Sequence, residues 1–254
     1  GREVAVGARL VIGADGLRTR VGAALGPRAW GRPARMAFTA HVRDVAGLDD
    51  EAEMHVGHGG YVGLNPIGAG LANVAIVVPL AHAAAARGDL RGWFFRELDR
   101  RPGIRDRVPA DGLVAGPFAT GPFAVRSRRV IADGALLLGD AAEFFDPFTG
   151  EGIWRALRGA ELADQVAGPV LERQPSPTAR SLRPYLGERR RSFAGVWAVE
   201  RLIAWAMLAP PLFDRAIARL AARRGMADTL VGVTGAFVPA RAVLNPVFLS
   251  RMLL

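Results

Sequence analysis

Ala135-Leu136-Leu137-Leu138-Gly139-Asp140-Ala141-Ala142-Glu143-Phe144-Phe145-Asp146-Pro147-Phe148-Thr149-Gly150-Glu151-Gly152-Ile153 is the stretch whose reading decides the fold. Its first four residues are wholly apolar, as in a short parallel strand buried on both faces. A loop of glycine, aspartate and proline follows, and helical spacing takes over across residues 150–167. That order puts the loop at the carboxyl end of a strand, where open α/β sheets bind their ligands. Asp140 would leave the strand with its carboxylate directed into the crevice. Gly150 and Gly152 carry no Cβ, so a flat ligand can approach their backbone closely. The free N–H groups at the helix start would face the same ligand, and the helix dipole favours negative charge there by about 0.3–1 kcal/mol.

A second strand, turn and helix opens the chain: an apolar run over residues 10–14, the turn Asp15-Gly16, and helical spacing over 17–25 closed by Gly26-Pro27. Between the two units, residues 38–42, 53–56, 61–64 and 72–78 alternate or run β-branched with glycines between them, which predicts an antiparallel sheet of hairpins. Helical spacing recurs over 90–98, and short strands and connectors are expected from there to about residue 129. Pro175 and Pro177 mark a linker into a helical tail. No internal repeat is present.

Composition narrows the function classes. Of the 254 residues half are apolar, enough for one large core or two modest ones, and the absence of cysteine removes disulfides, iron–sulfur ligation and thiolate metal sites. A reducing compartment, the cytoplasm by default, is the expectation. All 33 basic residues are arginine and the net charge is +9, which permits contact with an anionic membrane face. The arginines are scattered through apolar segments rather than gathered with aromatics on one stripe, which argues against nucleic acid. The longest apolar stretch, 193–213, is interrupted by Glu200 and Arg201 and stopped by Pro210-Pro211, so it is read as a buried or interfacial helix rather than a bilayer span. His55 and His58 fall on opposite faces of a strand and do not share a metal. The serines lack a nucleophile-elbow context. Arg189-Arg190-Arg191 reads as a solvated helix face, with contact to a phosphate-bearing lipid as the alternative. Glu143 and Asp146 read as surface loop carboxylates, with the tuning of a proton as the alternative.

Gly139-Asp140-Ala141-Ala142 with Pro147 and Gly150-Glu151-Gly152 resembles the "GD" motif of the para-hydroxybenzoate hydroxylase superfamily, and the form Asp-Pro-Phe-Thr-Gly-Glu-Gly-Ile is most similar to its geranylgeranyl reductase branch. Gly13-Ala14-Asp15-Gly16, followed by Arg18, Arg20 and Val21, resembles the same superfamily's "DG" motif, with Thr19 at the usual serine and Gly22 at the usual arginine. Tyr61-Val62-Gly63-Leu64-Asn65-Pro66 resembles the aromatic strand that lines the substrate cavity there, with Gly63 in place of its second aromatic. The resemblance implies an α/β fold: a partial FAD-binding, Rossmann-like domain (residues 1–30 and 129–170), an inserted antiparallel sheet substrate domain (31–128) and a helical C-terminal region (171–254). It implies FAD, held by Asp15, Gly16, Gly139, Asp140, Ala141, Pro147, Gly150, Glu151 and Gly152, with Tyr61 and Pro66 on a cavity for a small apolar substrate. Asp140 would serve the ribityl chain, Gly150 to Gly152 the isoalloxazine edge, and Asp15 and Gly16 the diphosphate side. The implied activity is oxidoreduction, with NAD(P)H as donor and an isoprenoid- or polyketide-like substrate. An aromatic monooxygenase or a halogenase is the alternative within the superfamily, and a non-catalytic basic protein on membrane surfaces is the alternative outside it. No catalytic residue and no metal ligand is singled out. Gly68-x-Gly70 precedes a strand rather than a helix, so no dinucleotide fingerprint is present. The resemblance therefore implies a GxGxxG segment upstream of Gly1.

Overall fold

The computed structural model describes residues 2–57 and 59–253, so His58 lies outside the described residues. Along the chain the elements are β1 (Val11–Gly13), α1 (Arg20–Leu25), β2 (Arg28–Trp30), β3 (Arg35–Arg43), β4 (Glu53–Gly57), β5 (Gly60–Pro66), β6 (Leu71–Pro79), α2 (Leu80–Ala83), α3 (Leu90–Asp99), β7 (Leu113–Thr120), β8 (Val125–Ser127), β9 (Ile131–Ala132), β10 (Ala135–Leu137), α4 (Gly139–Ala142), β11 (Glu143–Phe144), α5 (Gly152–Arg173), α6 (Ala179–Ala206), α7 (Pro210–Ala221), α8 (Arg224–Thr234) and α9 (Pro246–Leu253). The chain divides into two compact units. One holds the N-terminal part up to Gly31, Ala124–Ile203 and the chain from Pro211 on; the other holds Arg32–Phe123 with Ala204–Pro210. The boundary thus falls at 123/124, ahead of residue 129, because β8 pairs with β2 and β11 inside the first unit. Much of the tail joins that unit too, since Leu182, Tyr185 and Phe193 share a buried cluster with Leu136 and Leu162.

The second unit is a five-stranded antiparallel sheet in the order β4-β5-β6-β3-β7. Alternation decides its buried face: Phe38, Ala40 and Val42 of β3 and Ala72, Val74, Ile76 and Val78 of β6 are buried at every second position. Trp93, Phe94 and Leu98 of α3 close the core over them, with the Phe38 and Trp93 rings 4.5 Å apart.

In the first unit β10 is the central strand of a three-stranded sheet, parallel to β1 on one side and antiparallel to β9 on the other. Ala135, Leu136 and Leu137 are all buried, as an apolar run without alternation requires. A second small sheet, β11-β8-β2, follows the loop. Helix α1 begins at Arg20, three residues later than its apolar spacing suggests, because Asp15 and Thr19 are spent on capping it. The Thr19 hydroxyl oxygen accepts from the Gly22 N–H at 2.8 Å. At Gly13 the helix lies so close to the strand that an added Cβ would stand 2.5 Å from Leu137 Cδ2 and 2.9 Å from Val21 Cβ. Replacing Gly13 by alanine must push strand and helix apart. The expected outcome is a loss of about 1–3 kcal/mol in denaturant unfolding, with the variant's far-ultraviolet dichroism otherwise unchanged.

Candidate functional site

The parallel register sets Val11 opposite Ala135, Ile12 opposite Leu136 and Gly13 opposite Leu137. Both strands therefore end together, and the loops that leave them, Ala14-Asp15-Gly16 and Leu138-Gly139-Asp140, stand side by side. With the start of α5 they frame a cleft of about 390 Å³, whose edge is Ala14, Gly16, Gly139, Asp140 and Gly152 and whose wall is Ala156 and Leu157. Gly139 adopts φ +47° in the left-handed region, with an ideal Cβ 3.1 Å from that of Ala156, so only glycine turns this corner without strain. At Gly16, Gly150 and Gly152 an added Cβ would meet nothing within 4 Å and would project into open space.

Of the residues singled out from sequence, Gly16, Gly139, Asp140 and Gly152 meet in this cleft. Asp140 is half-buried. Burial pushes its carboxyl above the ordinary range, opposed by the positive charges of Arg155 and Arg28. Asp15 lies exposed beside it and is engaged locally: its oxygens accept from the Thr19 hydroxyl at 2.5 Å, the Arg20 N–H at 2.6 Å and the Val21 N–H at 3.3 Å. The Thr19 bond is the main reason its carboxyl sits below its usual value. Ala141 is wholly buried; its amide donates to Leu138 and its carbonyl accepts from the Ser127 hydroxyl at 2.8 Å, so it serves the core and not the cleft. Pro147 starts a single 3-10 turn capped by Asp146. The Glu151 side chain, only 3 % exposed, is turned away from solvent.

The structure corrects the solvated reading of Arg189 and the surface reading of Asp146. Arg189 is buried rather than solvated and pairs with the partly exposed Glu143 at 2.7 Å; Arg190 and Arg191 remain exposed. Asp146 is buried, with its Oδ1 accepting from the Phe148 N–H. In the second unit Tyr61 is a core residue, 3 % exposed, registered between Val56 and Val77, while Pro66 borders a groove of about 410 Å³ that also holds Asp44, Asp49 and Asp50. His55 bonds to Glu53, and among the described residues no group of side chains is arranged to hold a metal.

Several functional neighbours carry no motif signal. Arg28 donates to the carbonyl of Leu17 and, at 3.3 Å, to that of Asp140, hooking the two loops to one guanidinium. Beneath the loop, Arg155 forms a buried ion pair with Glu200 of α6 at 3.1 Å. A smaller cavity of about 180 Å³ opens beside that pair, walled by Trp30, Phe144, Phe145 and Trp197 with Arg126 and Arg201. Arg155 is four residues from Glu151, the spacing of a helical ion pair. It bonds Glu200 instead, and neither carboxyl oxygen of Glu151 has a hydrogen-bond partner.

Burial raises the Glu151 carboxyl from its ordinary 4.5 to about 8, with Arg155 opposing and Glu200 reinforcing the shift. A carboxyl whose folded pKa lies above its unfolded one favours the folded state most below the unfolded value, and that advantage drains away as pH rises to the folded value. Between pH 4.5 and about 8 the wild type should therefore lose stability relative to Glu151→Gln, by up to about 1.4 kcal/mol per pH unit. Paired denaturant titrations across that range check this, and a constant difference would contradict it.

No protein-family model matches the chain. Digeranylgeranylglycerophospholipid reductase 2 of Methanopyrus kandleri is 30% identical over 191 residues, which is 71% of this chain and 46% of that protein. The chain thus spans about half the length of the curated relatives it matches. Among solved structures, a myxobacterial FAD-dependent halogenase of chondrochloren formation superposes with a TM-score of 0.67 at 22% identity, over 83% of this chain and 55% of the other. A geranylgeranyl bacteriochlorophyll reductase-like protein of Thermoplasma acidophilum gives 0.59 at 23%, over 88% and 54%. The chain belongs to the same superfamily as the digeranylgeranylglycerophospholipid reductases, the one its two glycine–aspartate motifs resemble, and it shares its fold with the FAD-dependent halogenase.

Proposed function

We propose that this chain forms the cofactor-embracing part of an FAD-dependent oxidoreductase that reduces an apolar, isoprenoid-like substrate with electrons from NAD(P)H. The observation that carries the reading is the convergence of the two motif loops at the shared carboxyl end of β1 and β10, with the start of α5 closing the third side of the cleft. The residues suit the cofactor. Open space above Gly16, Gly150 and Gly152 leaves room for a flat ring and a phosphate chain against bare backbone, and Asp140 is the polar group on an otherwise apolar edge. Asp140 would accept from the ribityl hydroxyls, the amides at the α5 N-terminus would face the ring edge that gains negative charge, and Gly16 would lie on the diphosphate side. When bound, the flavin supplies the hydride chemistry. The protein supplies position, the positive end of a 22-residue helix, and Leu157 and Ala156 as an apolar wall that limits water.

Reduction is preferred to hydroxylation because the Methanopyrus kandleri reductase matches by sequence and the halogenase by fold alone. Among the described residues no single helix is long and apolar enough to cross a membrane; α6 and α7 pass such a test only as a pair bent by 117°. Contact with a membrane surface, where an isoprenoid lipid would be met, belongs to the same proposal.

Expressed at full length, the protein should purify yellow. Given NADPH without oxygen it should add two hydrogens per double bond to an isoprenoid lipid, read by mass spectrometry. Oxygen-dependent NADPH consumption with a hydroxylated product would sink the reductase reading and favour the monooxygenase; a colourless protein that binds anionic vesicles would sink both. Asp140→Ala should weaken FAD retention by roughly tenfold or more, the worth of one hydrogen bond to a charged group, measured as free flavin after gel filtration.

A further inference from the structure

Glu151 is the helix-capping residue of α5 yet makes no capping bond, and both of its oxygens are sealed from solvent without a donor. It stands between Gly150 and Gly152, where an added Cβ would meet nothing within 4 Å, and Gly152 lines the cleft. The charged groups that face it are Arg155 on its own helix and Glu200 on α6; Asp146, on the preceding loop, acts on Glu200, and Asp140 at the cleft edge is attracted to the same Arg155. Arg155 is committed to Glu200 by two hydrogen bonds, 3.1 and 3.3 Å. One guanidinium is thus left to serve two buried carboxyls, and the pair with Glu200 already neutralises it. An ionised Glu151 would be a bare negative charge at the end of the helix that best tolerates an anion from outside.

We propose that Glu151 is a proton-linked positioning residue: wherever it starts ionised, it takes up a proton when negative charge arrives at the N-terminus of α5, so that reduction of the cofactor then draws in one proton more than the cofactor itself binds. The inference rests on the reading that the cleft holds FAD. In the balance, two electrons and one proton convert the oxidised ring to its reduced anion, with the proton on N5 and the charge at the N1/C2=O edge. One further proton from solvent converts the Glu151 carboxylate to the neutral acid. No group on the chain is oxidised. With the carboxyl titrating at about 8 before reduction, the second proton is taken up only above that pH, where Glu151 starts ionised. Below it both redox states hold the proton already.

The experiment is a spectroelectrochemical titration of the FAD-loaded full-length protein from about pH 7 to about pH 10, for the wild type and for Glu151→Gln. Above about pH 8 the wild-type midpoint potential should fall twice as steeply with pH as the variant's, two protons per two electrons against one, and below it the two curves should run parallel. Parallel curves throughout, with FAD bound in both, would overturn this inference and leave the flavoenzyme reading intact. Failure of the full-length protein to bind FAD would overturn both. Should Glu151→Gln not fold, the wild-type curve alone decides: a doubling of slope supports the proposal and a straight line refutes it. Glu151→Asp, which keeps the carboxyl, should restore the break.

Discussion

Three residues paired with three residues, β1 against β10, hold the site together. A parallel ladder that short contributes few hydrogen bonds, and β1 is the edge of its sheet, with Val11 and Ile12 44% and 48% exposed. Its register nevertheless matters beyond its bond count, because a slip of one residue would move both loops out of line and turn the side chains over. The surrounding structure defends that register from every side. Gly13 lets α1 approach, Arg28 ties the carbonyls of Leu17 and Asp140 to one side chain, and Ser127 holds the carbonyl of Ala141.

The charges in this unit follow from the same crowding. Burying a guanidinium costs several kcal/mol unless a carboxylate meets it with good geometry, and Arg155 and Arg189 each meet one, Glu200 and Glu143. Both carboxylates lie beyond the helix turn that a local pattern would search: Glu200 is 45 residues from Arg155, and Glu143 is 46 from Arg189. The Arg155–Glu200 pair is what excludes Glu151 from its expected helical partner, and burial then raises its carboxyl to about 8.

Legibility in the sequence tracks how local each feature is. The buried run Ala135 to Leu138, the alternation of β3 and β6, the α3 helix and the order of the two strand-loop-helix units all depend on neighbours a few residues apart, and all could be read from spacing. So could the meeting of Gly16, Gly139, Asp140 and Gly152, because two parallel strands in one sheet must end on one side. What escaped reading is long-range. Nothing in Arg189-Arg190-Arg191 tells the first arginine from the other two until α6 packs on the sheet and buries one face of the helix. Ala141 sits between motif residues, and the four-residue turn of α4 buries it, which its spacing does not show. The capping bonds of Asp15 to Thr19, Arg20 and Val21 are a second role that its place in the motif does not show. Arg28 is one arginine among 33 and acquires its role only by reaching both loops.

The Tyr185 hydroxyl donates to the carbonyl of Leu137 at 3.0 Å, from a helix 48 residues downstream. That carbonyl belongs to the last residue of the central strand, so the strand end and the tail are chemically one object. Modularity is therefore limited. A chimera that kept this strand, loop and helix but took a tail without these side chains would lose the phenol on Leu137, the guanidinium on Glu143 and the carboxylate on Arg155 together. An exchange of C-terminal segments should keep the fold only where the donor tail brings all three partners, so the tail and the glycine–aspartate loop are expected to diverge as a unit.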